Sequence, residues 1–286
     1  MPAPPISALE QLKSIDPKLV ENVQESFLKH VKQNVQNFDP EDIEEIMKNP
    51  WQTQRFILES KLNEQKSLEL MINAFKWRNT HQVRHLKYHH FPDIFYKTGY
   101  MCQVGRNLSD AKILYFRANI HQKVPDWKNI MNKYFLYLIE NIDANNDGKG
   151  VALLIDCTNI GYANLDLETL KFIVETFSKC YSKLFDAILV HELPFILSYV
   201  FKLVQSWLPP DDRKFFHTTN KKNIQQFISK DQLPTFIFGG ENSSWNKLPV
   251  QEDIKKILTV KEFVLVNNMS SEAIDKIQYL NEFLPK

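Results

Sequence analysis

Two short apolar runs, separated by a segment long enough for a helix, constrain this chain more than any other feature. The first run spans Gly150 to Asp156 and the second spans Ala187 to Val190. Apolar runs of this length, bounded by turns, are typical of strands that are covered on both faces of a sheet. Residues 165–181 between them mix polar and apolar side chains over a helical length. Strand, helix and strand in this order predict a βαβ unit.

The segment that follows, residues 194–208, is unusually apolar for a helix that packs on a sheet. Pro194 suits the first helical position, and Pro209 and Pro210 stop the helix. Its polar side chains fall on one narrow stripe at helical spacing: Ser198, Lys202 and Gln205. A helix with one face on a sheet needs an apolar arc of roughly 100°, and this one has about twice that. A core helix buried on both flanks explains the pattern, and so does a helix that covers an apolar ligand and also meets a membrane.

Short motifs across residues 150–240 resemble those of the CRAL-TRIO lipid-binding domain of cytosolic lipid-transfer proteins. In chain order they are Asp156 after the first strand, Tyr181-Ser182-Lys183-Leu184 in place of the family's Tyr-Pro, Val190 to Phe195 in place of its strand and Asn-x-Pro, Trp207-Leu208 at the end of its gate helix, and the closing Leu233-Pro234 and Gly239-Gly240. Their order and spacing carry the resemblance. Within the family, the pattern Lys202-Leu-Val-x-x-Trp207-Leu208-x-Pro210 is most similar to a relative that couples this domain to a tethering domain and a membrane anchor.

The resemblance implies an α/β fold with a mixed, mostly parallel sheet, helices over one face and a hydrophobic pocket under a gate helix at 194–208. A small all-α N-terminal subdomain is expected to precede it. The predicted organisation is an N-terminal helical subdomain at 1–90, a CRAL-TRIO-like lipid-binding domain at 91–245 and a C-terminal extension with a final helix at 246–286.

Local patterns predict further elements on either side of the βαβ unit. Asp16-Pro17 and Asp39-Pro40 each place a capping carboxylate before a proline at the first helical position. Strand-like runs predict an edge hairpin at 100–104 and 113–118 and a last short strand at Phe215-Phe216. Residues 221–228 are predicted as a helix, residues 262–267 as strand-like, and residues 273–284 as a final helix that packs back on the domain.

The resemblance implies a cavity between the sheet and the gate helix that holds one lipid or other lipophilic molecule and needs no other cofactor. Burying an acyl chain contributes about 0.8 kcal/mol per CH₂, so such a cavity binds its ligand without catalysis. The predicted lining residues are Leu153, Ile155, Ile188, Val190, Phe195, Tyr199, Val200, Leu203 and Phe216, with polar contacts from Tyr115 and Arg117. The predicted membrane contacts are Phe201, Lys202, Trp207 and Lys214.

The sequence leaves the identity of the lipid open. Phosphoinositide-reading members of the family are similar to one another in an acidic residue just after Tyr-Pro and a lysine after the gate helix. Lys183 stands at the first position, and the second aligns with either Lys214 or Phe215. Phosphatidylinositol recognition is therefore one alternative, and a neutral or differently charged lipophile is the other.

Composition and missing motifs argue against several classes of function. The formal net charge of +1 is too small for a general nucleic-acid binder. The three cysteines predict neither a disulfide framework nor a metal site, which favours a reducing compartment. No apolar run reaches the roughly 18 residues of a membrane span, and the N-terminus lacks a signal-peptide pattern. No GxSxG, HExxH or glycine-rich phosphate loop occurs. We therefore expect a non-enzymatic, cytoplasmic protein that associates peripherally with membranes.

Two patterns imitate metal sites without completing them. Residues 143–148 resemble the first half of an EF-hand loop, but Leu154 stands where the loop needs a bidentate glutamate, so we interpret them as a turn. Three histidines recur at helical spacing in a basic stretch: His81, His85 and His89. Asp93 is the nearest acid, so a solvated basic face or a contact with anionic lipid headgroups is favoured over zinc.

Two alternatives to a lipid carrier remain at this stage. The chain is also consistent with an interaction or tethering module at membrane contacts, with the final helix from Ala273 to Leu284 docking a protein partner. An enzymatic interpretation would depend on three polar residues near predicted strand ends, where α/β proteins place functional groups: Asp156, His191 and Glu192.

Overall fold

A five-stranded sheet forms the centre of the structure, a computed structural model that describes residues 12, 14–144, 148–237, 239–243 and 257–284. The strands lie side by side in chain order: β1 Met101–Arg106, β2 Lys112–Arg117, β3 Val151–Asp156, β4 Phe185–His191 and β5 Phe216–Thr219. β1 and β2 pair antiparallel, whereas β2 to β5 pair in parallel. The mixed, mostly parallel sheet predicted from the sequence is thus confirmed.

Side chains of the central strands alternate between two apolar faces, because successive residues of a strand point to opposite sides. On one face, which we call the pocket face, Leu153 and Ile155 pack among helices. On the opposite face, Ala152 and Leu154 pack against apolar residues of the segment 224–237. β3 is buried along its whole length. Burial on both faces explains why its sequence is a continuous apolar run instead of an alternating one.

The N-terminal part of the described chain is helical: α1 Pro17–Gln33, α2 Pro40–Lys48, α3 Trp51–Glu59 and α4 Glu64–Thr80. Their apolar sides meet in a core of their own around Phe27, Phe56 and Phe75. The predicted caps are present, since the Asp16 carboxylate accepts a hydrogen bond from the Lys18 amide (2.9 Å) and Asp39 accepts one from the Glu41 amide (2.8 Å). Each such cap stabilises its helix by about 1 kcal/mol.

The remaining helices of the described chain lie around the sheet: α5 Asp93–Lys97, α6 Pro125–Asp143, α7 Leu167–Cys180, α8 Ser198–Trp207, α9 Val260–Val266 and α10 Glu272–Ile277. α6, α7, α9 and α10 contribute to the large core on the pocket face. α8 corresponds to the predicted gate helix. It packs on α7 through Val200, Val204 and Val174.

A buried ion-pair network, which we call the junction, joins the N-terminal helices to the helices on the pocket face. The Arg78 Nη2 atom of α4 lies 2.7 Å from Asp42 Oδ1 of α2 and 2.7 Å from Glu140 Oε1 of α6. The Tyr181 hydroxyl donates to Glu140 Oε2 (2.8 Å). Burial alone would raise the pKa of Glu140, but the charges of Arg78 and Arg84 and hydrogen bonds from Arg78 and Tyr181 lower that pKa to about 2.

Two local predictions near the end of the chain were wrong. Residues 262–267 were expected to be strand-like, yet they belong to α9, because Thr259 and Glu262 form a reciprocal capping box. The cap overrides the β-propensity of the valine-rich run. Residues 221–228 were expected to form a helix and contain a short 3₁₀ helix at Ile224–Gln226. The Asn223 side chain accepts from the Asn220 amide (2.7 Å) there, and such local bonds favour turns over helix.

The tail packs back on the domain, as the sequence predicted. α10 and a following 3₁₀ helix, Gln278–Phe283, bury Ala273, Ile277 and Leu280 almost completely. The Trp127 indole donates a hydrogen bond to the Ala273 carbonyl oxygen (2.9 Å). The apolar side of the tail is therefore already covered by the protein itself.

Candidate functional site

A cavity of about 80 Å³ lies between the pocket face of the sheet and α8. The strands contribute Phe116, Ile155, Val190 and Phe216 to its wall. The turn before α8 and α8 itself contribute Leu197, Val200, Phe201 and Val204. The wall is apolar over most of its extent, so its chemistry suits hydrocarbon.

The position of the cavity follows from the register of the parallel strands. Phe116 of β2 is paired with Ile155 of β3, which in turn is paired with Val190 of β4. All three lie at the C-terminal ends of their strands and point to the same face. Open α/β sheets bind ligands at this edge. Ile155, Val190 and Phe216, which the sequence predicted as lining, do border the cavity.

Two other predicted lining residues lie on the pocket face but deeper than the cavity. Leu153 and Ile188 are about one strand repeat farther from the strand ends, where they pack in the core. Ile188 borders a second, smaller cavity of about 30 Å³. They support the floor beneath the main cavity.

α8 is rotated relative to the orientation that the sequence suggested. Val200 and Val204 face inward and are buried, as predicted for Val200. Phe195, Tyr199 and Leu203 were expected in the lining, but they point outward and are 92%, 58% and 40% exposed. The α-helix begins only at Ser198, after a 3₁₀ turn at 195–197. A 3₁₀ turn advances about 120° per residue instead of 100°, which shifts the phase of everything that follows.

The four residues predicted as membrane contacts do not share one surface of the structure. Phe201 points inward and lines the cavity. Trp207 is half-buried against the cluster that joins α7 and α8. Lys202 and Lys214 are exposed, and the Lys214 ammonium lies 5.1 Å from the centre of the Phe215 ring. The outward apolar surface of this segment is made instead by Phe195, Ile196, Tyr199 and Leu203, which we call the outer face of α8.

Tyr115 and Arg117 were expected to supply polar contacts to the ligand, and the structure places both on the opposite face of the sheet. The Tyr115 hydroxyl donates to Asp156 Oδ2 (2.8 Å), and Arg117 Nη1 donates to the Thr98 carbonyl oxygen (3.1 Å). Burial, followed by the charge of Asp156, raises the pKa of Tyr115 far above its usual value. Phe116 lies between them in sequence and therefore takes the position on the pocket face.

The sequence analysis missed a polar group at one end of the cavity, formed by His121, Asp166 and Thr169. His121 Nε2 lies 3.4 Å from Asp166 Oδ2, and the Thr169 hydroxyl donates to the same oxygen (2.9 Å). His121 Nδ1 lies 2.6 Å from the Tyr100 hydroxyl. Burial would raise the pKa of Asp166, but the bonds from His121 and Thr169 lower it well below its usual value. Because these groups bond one another, the cavity wall stays apolar.

The smaller cavity lies near the residues that bear on phosphoinositide recognition. Lys183 Nζ lies 2.9 Å from Glu59 Oε2, and both residues border this cavity. The hydroxyl of Ser182 is buried there without a hydrogen-bond partner among the described residues. Burial, together with the charge of Glu59, raises the pKa of Asp212. The region therefore combines one lysine with two carboxylates around a space of about 30 Å³.

The patterns that imitate metal or catalytic sites have structural partners. Arg55 Nη1 donates to Asp143 Oδ2 (2.9 Å), so the first acid of the EF-hand-like stretch is already paired; residues 145–147 of that stretch lie outside the described residues. Within the described ranges, no three His, Cys, Asp or Glu side chains are grouped as metal ligands. Asp156 and His191 are adjacent in register but lie on the face away from the cavity, where His191 Nδ1 is 3.2 Å from the Thr219 hydroxyl.

Comparison with known proteins identifies the family and the fold of this chain. Residues 96–240 match the CRAL/TRIO domain family. The phosphatidylinositol transfer protein CSR1 of Eremothecium gossypii is 21% identical over 145 residues, which are 50% of this chain and 33% of that protein. The match thus spans about a third of that relative. The crystal structure of Sfh5 superposes with a TM-score of 0.62 over 92% of this chain and 99% of that one, at 14% identity.

These comparisons support the fold and the family, and they do not test the finer predictions made from the sequence. The domain boundaries at 90 and 245, and the resemblance to a membrane-anchored subgroup, stay predictions. Within the part of the chain that the structure describes, no helix is both long and apolar enough to cross a bilayer.

Proposed function

This chain belongs to the CRAL/TRIO domain family, and we propose that it binds a lipid or other small lipophilic molecule beneath α8 and carries or presents it between membranes without altering it chemically. The observation that carries the proposal is the combination of an apolar cavity inside α8 and an apolar surface outside it. Val200 and Val204 face the cavity, while Phe195 and Tyr199 face water.

The size of the cavity implies that α8 moves when ligand binds. Pockets that enclose drug-sized ligands have about 300–1,000 Å³, and this cavity has about 80 Å³. α8 buries only Val200 and Val204 along its length, so its displacement breaks few apolar contacts. Once displaced, its apolar outer face has a favourable environment at the bilayer surface, where the ligand would exchange.

The ligand class is a membrane lipid whose hydrocarbon part occupies the apolar cavity. Phosphatidylinositol is the first lipid to try, because the relative from Eremothecium gossypii is called a phosphatidylinositol transfer protein. The ion pair between Lys183 and Glu59 favours trying a neutral lipid in parallel, since the lysine near the smaller cavity is already neutralised.

Native mass spectrometry of the protein purified from cells, followed by lipid extraction and transfer assays between liposomes, tests this proposal. We expect one bound species of defined lipid mass. Val204→Phe fills the cavity and should abolish loading, whereas the matched control Leu203→Phe, one residue away on the outside, should load normally. A ligand-free mass with no uptake from mixed liposomes, or equal loading of both variants, would contradict the proposal.

The alternative function, a tethering module that docks a partner through the tail, receives less support. Ala273, Ile277 and Leu280 would have to face the partner, but they are buried against the protein's own core. Docking through this side would first require the tail to detach. We therefore infer that the tail stabilises the domain by packing on its core.

A further inference from the structure

A further recess, of about 460 Å³, lies between the segment 82–91, α6 and α9 and shares no lining residue with the cavity beneath α8. We call it the basic recess. Its polar wall consists mainly of groups that donate hydrogen bonds or carry positive charge: His85, His89, His90, Lys133 and Asn129. Among the described residues, no aspartate or glutamate borders it.

Neighbouring recesses are lined by both positive and negative side chains, unlike the basic recess. The recess between α6 and α7 has Lys128 and Lys171 together with Glu168 and Glu175. The recess beside α5 and α10 has Asp93 together with lysines. Three lysines in those places, Lys97, Lys128 and Lys171, form ion pairs with Asp93, Glu168 and Glu175, respectively. Lys133 borders both the basic recess and the recess between α6 and α7, and it has no ion pair within the described part of the chain.

The sequence showed a basic stretch here, but the structure divides it into two parts. Arg78 and Arg84 turn inward and bind Asp42 and Glu140 in the junction, so they are not available to a ligand. His85 Nε2 lies 2.9 Å from Asp39 Oδ2, so this nitrogen already has a partner. The groups left facing the recess are His89, His90 and Lys133.

The orientation of His90 fixes which of its atoms is available. Its Nδ1 atom accepts a hydrogen bond from the Lys87 amide (3.2 Å), so in the neutral ring the proton is on Nε2. Burial and the neighbouring positive groups His89, Lys133 and Lys87 lower the pKa of His90. The Nε2–H group of His90 is therefore left as a hydrogen-bond donor for an anionic ligand.

An apolar rim adjoins these donors. Phe263 and Val264 anchor α9 in the core, while Leu265 and Val266 on its other side are 74% and 68% exposed. Val266 also borders the basic recess. A lysine and histidine N–H donors beside exposed aliphatic side chains match the interface of an anionic bilayer, which supplies phosphate and hydrocarbon together. A soluble anion would account for the donors and leave the aliphatic residues unexplained.

We propose that the basic recess and the adjoining Leu265 and Val266 dock the protein on the surface of an anionic phospholipid membrane, independently of α8. The headgroup phosphates lie against Lys133, His89 and His90, and the two aliphatic side chains enter the boundary between headgroups and acyl chains. This site does not depend on whether the cavity under α8 holds a lipid.

Cosedimentation with vesicles tests the site, using phosphatidylcholine alone or mixed with phosphatidylserine. The measurement is made in a Phe195→Asp background, so that the outer face of α8 contributes little. We expect binding only to the mixed vesicles, weakened at least about tenfold by Lys133→Glu or Leu265→Asp. The matched controls are Lys171→Glu, an exposed lysine of the adjacent recess, and Leu108→Asp, an exposed leucine in the β1–β2 turn.

Three outcomes would overturn this inference: equal binding to both kinds of vesicle, equal losses in the test and control variants, or binding of inorganic phosphate with no binding to vesicles. Circular dichroism of each variant separates loss of binding from loss of folding. Lipid uptake measured on Lys133→Glu and Leu265→Asp in the otherwise unchanged protein, with Phe195 intact, is expected to be unchanged. If uptake fails while charge-dependent docking persists, the proposed function falls and this inference stands.

Discussion

The junction joins helices, and the boundary beneath α8 joins a helix to the sheet; both are buried, yet they are built from opposite chemistry. At the junction, Arg78 is fixed by the carboxylates of Asp42 and Glu140, each at 2.7 Å. Beneath α8, two valines rest over a gap of about 80 Å³ with no polar contact to hold them in register. Directional, mutually dependent bonds permit one arrangement, whereas sparse apolar contacts permit several. The contrast separates a boundary held by directional bonds from one held by a few apolar contacts.

Removing the arginine of the junction is the strongest test of the claim that the junction is the more firmly held boundary. Arg78→Ala removes the hydrogen bonds of Arg78 to Asp42 and Glu140 and leaves the two carboxylates near each other with only Arg84 between them among the described residues. Such a loss costs about 3–5 kcal/mol in the free energy of unfolding, which urea denaturation measures. Asn73→Ala, an exposed position on the same helix, is the control and should change it by less than about 0.5 kcal/mol. Similar values for the two variants would refute the rigid junction.

Acidification probes the same junction without mutation. The pKa of Glu140 is lowered to about 2 in the folded protein, against 4.5 without its partners. Its contribution, about 3 kcal/mol, is therefore complete above pH 4.5 and is lost as the pH falls toward 2. Thermal unfolding scans from pH 6 to pH 2 should show a steep fall in stability. In Glu140→Gln the fall should be shallower, and an unchanged slope would show that this carboxyl plays no part.

A third change acts on the movable boundary and should have the smallest effect on stability. Val204→Ala removes two methyl groups that already border a gap, so it should cost at most about 1.5 kcal/mol. Hydrogen exchange of the α8 amides should quicken, while exchange in α4 stays as it was. Uniform quickening across the molecule would mean that α8 is as firmly held as the junction, and the comparison would fail.

The sequence allowed the sheet to be predicted because each buried strand is a continuous apolar run with turns at its ends. It also located the gate helix, because prolines flank it on both sides. Helix starts at Asp16 and Asp39 followed from local capping, which depends on adjacent residues alone. These features need no knowledge of distant contacts.

The parts that the sequence did not reveal depend on phase or on distant pairs. Whether Tyr115 or Phe116 faces the cavity is decided by a shift of one residue along β2. The contact between His121 and Asp166 joins residues that are 45 positions apart, and neither stands in a recognisable motif. α9 is helical because the side chains of Thr259 and Glu262 cap its N-terminus, whereas the sequence of residues 262–267 alone has the pattern of a strand. Arg78 and Arg84 looked like surface charge until their buried partners were known.

The winding of the short 3₁₀ turn at Phe195–Leu197 sets the rotation of α8 about its own axis. Rewinding these three residues into α-helical geometry would turn the helix by about 60° around its axis and shorten the lead-in by about 1.5 Å. A rotation of that size is more than half of the 100° that separates successive residues of an α-helix, so it would bring a neighbouring row of side chains toward the cavity. The winding of this one turn would then decide which side chains face the cavity and which face outward.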